Sequence, residues 1–152
     1  MKIKLLVMDV DGTLTDGKIY MSENGEVMKA FNVKDGYAIA HMLPEMGIIP
    51  VIITGRKSKI VENRAKELGI TELYQGVGDK LAVLKNVAEK YNASPDEIAY
   101  IGDDINDLDC IEYCGVTACP ADAVEEVKRI ATYVCKKNGR DGAVREYIDN
   151  IK

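Results

Sequence analysis

Cysteine pairs at metal or redox spacing are missing from this 152-residue chain: Cys110, Cys114, Cys119 and Cys135 include no CxxC, and His41 is the single histidine. A chain of this length needs no disulfide staples. Cys110 and Cys114 lie four apart and so share a helix face, but with the only histidine distant in sequence, packed thiols rather than a zinc site are expected. Long apolar runs are missing too. No stretch approaches the roughly 20 residues of a membrane span, and the basic, apolar and cleavage-site pattern of a signal peptide is absent, which makes a cytoplasmic protein with no membrane partner the default. There is no excess of positive charge. The formal net charge of -5 argues against a nucleic-acid surface, while a local basic patch still suits an anionic metabolite. Linkers, internal repeats and low-complexity tracts are also lacking. With 47% hydrophobic residues, residues 1–152 suit one domain with a sizeable core and leave no room for a second.

What is present is an alternation of strand and helix patterns. Apolar segments at Leu5–Met8, Ile48–Ile53, Leu73–Gln75, Ile98–Ile101, Gly115–Ala118 and Thr132–Cys135 read as strands. Residues 58–68, 80–91, 106–114 and 124–131 carry apolar side chains at three- and four-residue spacing, as helices do. Ser94-Pro95-Asp96-Glu97 has the chemistry of a helix cap and acidic first turn. This succession predicts an α/β, Rossmann-like, mostly parallel sheet with helices on both faces, whose ligands bind beyond the carboxyl ends of the strands. One segment departs from it. Lys18–Met21 and Glu26–Phe31 flank Ser22-Glu23-Asn24-Gly25, a strong β-hairpin signal covering about residues 18–33. A lone two-stranded ribbon is marginal in water, so it must pack on another subunit or on its own domain.

Polar groups collect at the strand exits. The first strand runs into Asp9, Asp11 and Asp16 around a glycine turn, the second into Thr54-Gly55-Arg56, and the fourth into Gly102-Asp103-Asp104-Ile105-Asn106-Asp107, while Lys80 opens a helix. Two carboxylates about 4 Å apart repel by roughly 4 kcal/mol at an effective dielectric near 20, so a cation, a proton or solvent must compensate. Acids from the first and fourth exits suit a hard cation such as Mg²⁺, and Thr54 with Lys80 offers a donor and a positive charge to phosphate oxygens. Together they describe a phosphoryl-transfer site. Asp16, before Gly17, makes the turn into the hairpin; His41 belongs to the apolar helix between Asp35 and Met46; Lys57, Lys59 and Lys66 form a solvated helix face.

Asp9-Val10-Asp11-Gly12-Thr13, Thr54, Lys80 and Gly102-Asp103-Asp104-x-x-Asp107 resemble, in order, the four motifs of the haloacid dehalogenase superfamily. That resemblance implies Asp9 as the nucleophile that becomes an aspartyl-phosphate and Asp11 as the acid and base, with Thr54 and Lys80 holding the phosphoryl group. It further implies Mg²⁺ held by the Asp9 side chain, the Asp11 carbonyl and the Asp103 side chain, with Asp104 and Asp107 in support. Between Asp11 and Thr54 the chain must fit a hairpin, a helix and a strand, and between Thr54 and Lys80 only a helix and a short strand, so no cap domain fits. Across nearly its whole length, through "TDGKIYMSENGEVMKAFNVKDGYAI", "YQGVGDK", "AYIGDDINDL" and "GRDGAVRE", the chain is similar to the 3-deoxy-D-manno-octulosonate 8-phosphate phosphatases. These are capless hydrolases of lipopolysaccharide-sugar synthesis, typically homotetramers whose hairpins associate.

By the same resemblance Asn32, Val33, Lys34, Asp35, Gly36, Gly55, Arg56, Arg64, Asp11 and Lys80 contact a small sugar-acid phosphate, and the glycine-rich tail, Lys136 to Arg145, reaches a neighbouring active site. A guanidinium binds the sugar's carboxylate in two-pronged fashion. Some relatives carry a basic residue where Ala40 stands, the family's tail usually has a double glycine where Gly139-Arg140 stands, and many relatives have a leader before the first strand. A nine-carbon sialic-acid-type 9-phosphate phosphatase shares the scaffold, but tends to place an acidic residue at Arg56. Receiver-like signalling domains order their acidic groups differently. A non-catalytic oligomeric binding module would keep the residues and show no Mg²⁺-dependent hydrolysis.

Overall fold

In the computed structural model, which describes residues 2–152, the apolar run Leu5–Met8 forms β1, one of the two innermost strands of a six-stranded parallel sheet. The elements follow as β2 (Tyr20–Ser22), β3 (Gly25–Met28), α1 (Val33–Tyr37), a π-helical turn (Ala38–Met42), α2 (Leu43–Met46), β4 (Ile49–Ile53), α3 (Lys59–Glu67), β5 (Glu72–Tyr74) and α4 (Lys80–Lys90). They continue with β6 (Ile98–Ile101), α5 (Leu108–Tyr113), β7 (Val116–Cys119), α6 (Glu125–Ile130), β8 (Tyr133–Val134) and α7 (Ala143–Ile151). The strand order is β5-β4-β1-β6-β7-β8. β1 pairs in register with β4 on one side and β6 on the other, Met8 lying opposite both Ile52 and Ile101, so three strands end level at one edge.

The two-residue period of β1 divides the core. Leu6 and Met8 face a layer built from Ala38, Ile39, Leu43, Val61, Ala65, Val144 and Ile148, and Leu5 and Val7 face Leu84, Val87, Cys110, Ile111 and Val127. Burying each such leucine, isoleucine or valine contributes about 1.5–3 kcal/mol, which is why β1 carries no polar alternation. All four cysteines are free and buried, and burial pushes the Cys110 and Cys135 thiols up to about 12. No helix among the described residues is long and apolar enough to cross a membrane.

Two expectations are corrected by the packing. The hairpin is tighter than residues 18–33, since Ser22 and Gly25 pair with each other, Gly25 takes φ +112°, and a register shift follows Tyr20. The expected helix over 106–114 begins as a 3₁₀ turn (Ile105–Asp107), and Ser94–Glu97 caps only another such turn before β6. The tail lies against this chain's own first loop. Gly139 sits so close that a Cβ there would lie 2.1 Å from the Gly12 carbonyl oxygen, and the Gly139 N–H donates to Asp122 at 3.1 Å. Arg140, at φ +74°, pairs with Asp16 at 3.4 Å, so this left-handed position is tied to the first loop by an ion pair.

Asp35 joins α1 to α7. Its Oδ1 accepts the Arg145 N–H at 2.9 Å, one of the unpaired donors of the α7 first turn, while its Oδ2 is buried without a partner. Desolvation dominates and raises the carboxyl to about 6. Between 3.8 and about 6 the folded chain therefore binds the proton more tightly than the unfolded chain does, so stability falls as pH rises through that window and stays lower above it. Asp35→Asn keeps the acceptor and removes the ionisation, worth up to about 3 kcal/mol, or roughly 5–10 °C. Its melting temperature should exceed the parent's at pH 8 and match it below about pH 4; a variant less stable at pH 8 contradicts this account.

Candidate active site

The level ends of β1, β4 and β6 bring their exits together in one cleft of about 150 Å³, lined by Asp9, Asp11, Thr54, Gly55, Arg56, Asp104 and Asn106. Asp9 and Thr54 are buried at its floor, whereas Gly55, Arg56, Asp104 and Asn106 are exposed at its rim. Thr54 is fixed by its backbone, whose N–H donates to the Tyr74 carbonyl and whose carbonyl accepts from Val77, so the hydroxyl-bearing turn hangs on the β5 side. Asn106 was not singled out from sequence. In a run of acidic residues its amide carried no distinguishing signal.

Lys80, at the start of α4 behind the Asp79 cap, is 3% exposed and sends its ammonium between two carboxylates, 3.0 Å from Asp9 and 2.9 Å from Asp107. Burial acts to lower its pKa, but Asp9 and Asp107 outweigh that and the pKa is raised. Asp107 is itself fully engaged. Its Oδ1 accepts from Lys80 and from the Tyr100 hydroxyl at 2.5 Å, and its Oδ2 accepts the N–H groups of Asp103 at 2.9 Å and Asp104 at 3.1 Å. Asp107 thus brackets the lysine and the turn after β6, as a supporting residue. Tyr100 supplies the other buried donor; within an apolar strand it reads as core, and nothing in the sequence sets it apart.

Carboxylate oxygens of Asp9, Asp103 and Asp107 lie within 4.8 Å of one another. With Asp107 fully paired, Asp9 and Asp103 keep free lone pairs for a cation. Two glycines make the approach feasible: a Cβ on Gly12 would lie 1.8 Å from Asp103 Oδ2, and one on Gly102 would lie 2.4 Å from Asp107 Cγ. Desolvation first, and then the Asp9 charge, raises the Asp103 carboxyl far above its ordinary range; desolvation and then Asp107 raise Asp9. The donor set is all oxygen, buried and short of positive charge, which fits Mg²⁺. Asp11 is not one of the three clustered side chains. Its carboxylate turns to Lys29 at 2.6 Å and Arg56 at 4.0 Å, leaving its backbone as the expected ligand.

The other expected substrate contacts gather elsewhere. Asn32, Asp35, Gly36 and Arg64 line a small enclosed space with Val10, Leu14, Phe31 and Leu68, while Val33 and Lys34 are exposed on α1. Arg64 stacks over Phe31 and pairs with Glu67, and Gly36 leaves room for its guanidinium, which a Cβ would meet at 2.4 Å. Within one chain, therefore, only Asp11, Gly55, Arg56 and Lys80 of the expected contacts stand at the cleft. Asp16 accepts from Lys18 and Tyr20 as a turn residue, His41 is exposed with its ring tilted against Tyr37, and Lys57, Lys59 and Lys66 are solvated, all as expected.

The family model for haloacid dehalogenase-like hydrolases matches residues 68–148. The 3-deoxy-D-manno-octulosonate 8-phosphate phosphatase KdsC of Escherichia coli K12 is 48% identical over 147 residues, which cover 97% of this chain and 78% of that protein. Among solved structures, the 3-deoxy-D-manno-octulosonate 8-phosphate phosphatase of Yersinia pestis superposes with a TM-score of 0.94 at 46% identity, over 98% of this chain and 80% of that one. The Moraxella catarrhalis phosphatase, solved in complex with a magnesium ion, a phosphate ion and a KDO molecule, gives 0.93 at 42% identity, over 98% and 85%.

Neutralising one member of the carboxylate cluster tests its electrostatics directly. Without divalent metal, Asp103→Asn should melt a few degrees above the parent, since a 1–2 kcal/mol relief of repulsion is worth roughly 2–8 °C at this size. Added Mg²⁺ should raise the parent's melting temperature and leave the variant's nearly unmoved; equal Mg²⁺ shifts in both would remove Asp103 from the metal site.

Proposed function

We infer, from a chain that belongs to the haloacid dehalogenase-like hydrolases and within them to the 3-deoxy-D-manno-octulosonate 8-phosphate phosphatases, that it hydrolyses this eight-carbon sugar-acid phosphate to the free sugar acid and inorganic phosphate. The observation that carries the reading is Lys80 held between Asp9 and Asp107 at the floor of a cleft that also presents Thr54 and Asp11. Every part of a phosphoryl-transfer site that the sequence motifs promise is at one sheet edge.

On this reading an Asp9 oxygen attacks phosphorus as the bond to the sugar oxygen breaks, and Asp11 gives its proton to that leaving oxygen. Asp11 then takes a proton from a water that attacks the aspartyl-phosphate, releasing phosphate and restoring Asp9. The Thr54 hydroxyl and the Lys80 ammonium hold the non-bridging oxygens, and Asp107 keeps the ammonium from collapsing wholly onto Asp9. Asp9, Asp103 and the Asp11 carbonyl, with Asp104 nearby, would hold Mg²⁺, which when bound would neutralise charge on the phosphoryl group. Arg56, exposed at the rim, meets the sugar acid's carboxylate.

Asn32 to Gly36 and Arg64 reach a sugar acid only if a neighbouring subunit presents them, which supports a homotetramer. The hairpin supports it further: Ile19, Met21, Val27 and Met28 are 39–61% exposed, a contiguous apolar ribbon that a second copy would cover. Met21→Glu combined with Val27→Glu should dissociate the assembly in sedimentation or light scattering; an unchanged mass places the interface elsewhere.

The substrate is tested by phosphate release with Mg²⁺ from the eight-carbon and nine-carbon keto-acid phosphates beside simple sugar phosphates. At least tenfold higher kcat/KM for the eight-carbon acid, about 1.4 kcal/mol of differential transition-state binding, is expected. Preference for the nine-carbon acid would move the enzyme to sialic-acid metabolism, and no release from any substrate would leave a binding module. Asp9→Asn should abolish turnover without loss of folding, as circular dichroism and activity together report.

A further inference from the structure

The hairpin sends one charged side chain inward. Lys29, just beyond β3, keeps only 1% of its side chain exposed, and its ammonium lies 2.6 Å from Asp11 Oδ1 and 2.9 Å from Glu26 Oε2. Glu26 is anchored in turn, its Oε1 accepting the Ser58 hydroxyl at 3.2 Å, and Ser58 caps α3 by accepting the Val61 N–H. A buried ammonium is costly unless it is paired, and a bare structural role would be met as well by an apolar side chain. The chain of contacts instead runs from the α3 N-terminus through Ser58, Glu26 and Lys29 to Asp11, a carboxylate at the cleft that stands apart from the Asp9 cluster. Arg56 approaches the other Asp11 oxygen at 4.0 Å, so the carboxyl is gripped from both sides, one side supplied by the hairpin and the other by the exit of β4.

We propose that Lys29 is a positioning residue for the leaving-group step: through its contact with Oδ1 it fixes the rotamer of Asp11, so that this carboxyl is aimed at the oxygen it must protonate. The inference rests on the reading above, in which Asp11 gives its proton to the leaving sugar oxygen as the phosphorus–oxygen bond breaks and the Asp9–phosphorus bond forms. Lys29 neither gives nor takes a proton and does not touch phosphorus. Glu26 and Ser58 hold it in place.

Leaving-group dependence separates this role from a merely structural one. An alkyl sugar phosphate needs the proton; p-nitrophenyl phosphate expels a stable phenolate without it. Lys29→Met should lower kcat/KM, which reports the steps through leaving-group departure and not the shared hydrolysis of the aspartyl-phosphate, by on the order of 10- to 100-fold for the eight-carbon phosphate, part of the roughly 10²- to 10⁴-fold that a general acid supplies, while kcat/KM for p-nitrophenyl phosphate falls by less than about threefold. Lys29→Arg should restore most of the sugar-phosphate rate, and Glu26→Gln, which loosens Lys29 without removing it, should show a weaker loss of the same selectivity. If Lys29→Met does not fold, the arginine and Glu26→Gln variants carry the test alone. Equal losses of kcat/KM on both substrates, or no loss on either, overturn the proposal. A parent enzyme inactive on every sugar phosphate would instead overturn the functional reading, a result seen before any variant is made.

Discussion

The site depends on one buried ammonium. Lys80 lies within hydrogen-bond distance of Asp9 and Asp107, and both carboxylates are withdrawn from solvent. Remove that charge and Asp9, Asp103 and Asp107 face one another uncompensated, with burial opposing the ionisation of Asp9 and Asp103. The surrounding fold serves this arrangement. α4 begins where it does because Asp79 caps it, placing Lys80 in the first turn; Tyr100 and two backbone N–H groups complete Asp107; Gly12 and Gly102 surrender side-chain volume to carboxylates. A structure that gives up so much local stability at one edge must recover it in the sheet, and the unbroken apolar register of β1 between β4 and β6 is where that recovery is concentrated.

Much of this was legible in the residues. Leu5–Met8 and Ile98–Ile101 could be bounded correctly because strands covered on both faces admit no polar residue, and the polar residues that end them are the site residues themselves. The hairpin was legible from Asn24-Gly25, although its strands came out shorter and displaced, since the turn chemistry fixes the loop and not how far pairing extends. Tyr100 and Lys29 were not legible. Each looks ordinary beside its neighbours, one a strand tyrosine and the other a surface-type lysine in a ribbon, and only the fold turns them toward Asp107 and Asp11. The grouping of Asn32, Asp35, Gly36 and Arg64 away from the Asp9 cleft was equally beyond sequence spacing, because it depends on how α1 and α3 pack.

The hairpin therefore joins two scales of organisation. Its outer face carries exposed methionine, valine and isoleucine, and its root carries Glu26 and Lys29 into the cleft. A ribbon too small to be stable alone is braced at its base by an ion pair with the site and is free at its tip to associate. Any change that shifts the ribbon is felt at Asp11 through the Lys29 ammonium, without requiring movement of the sheet.

Gly139 packs directly on the carbonyl groups of Gly12 and Thr15, and the Arg140 N–H donates to Thr13. The two partners lie near opposite ends of the sequence. During synthesis the Asp-rich turn leaves the ribosome well before the segment that closes over its back. Contacts this distant in sequence form late. The cleft accordingly matures only once residue 139 has emerged, and a nascent or truncated chain ending before it presents the Asp9 loop without its backing.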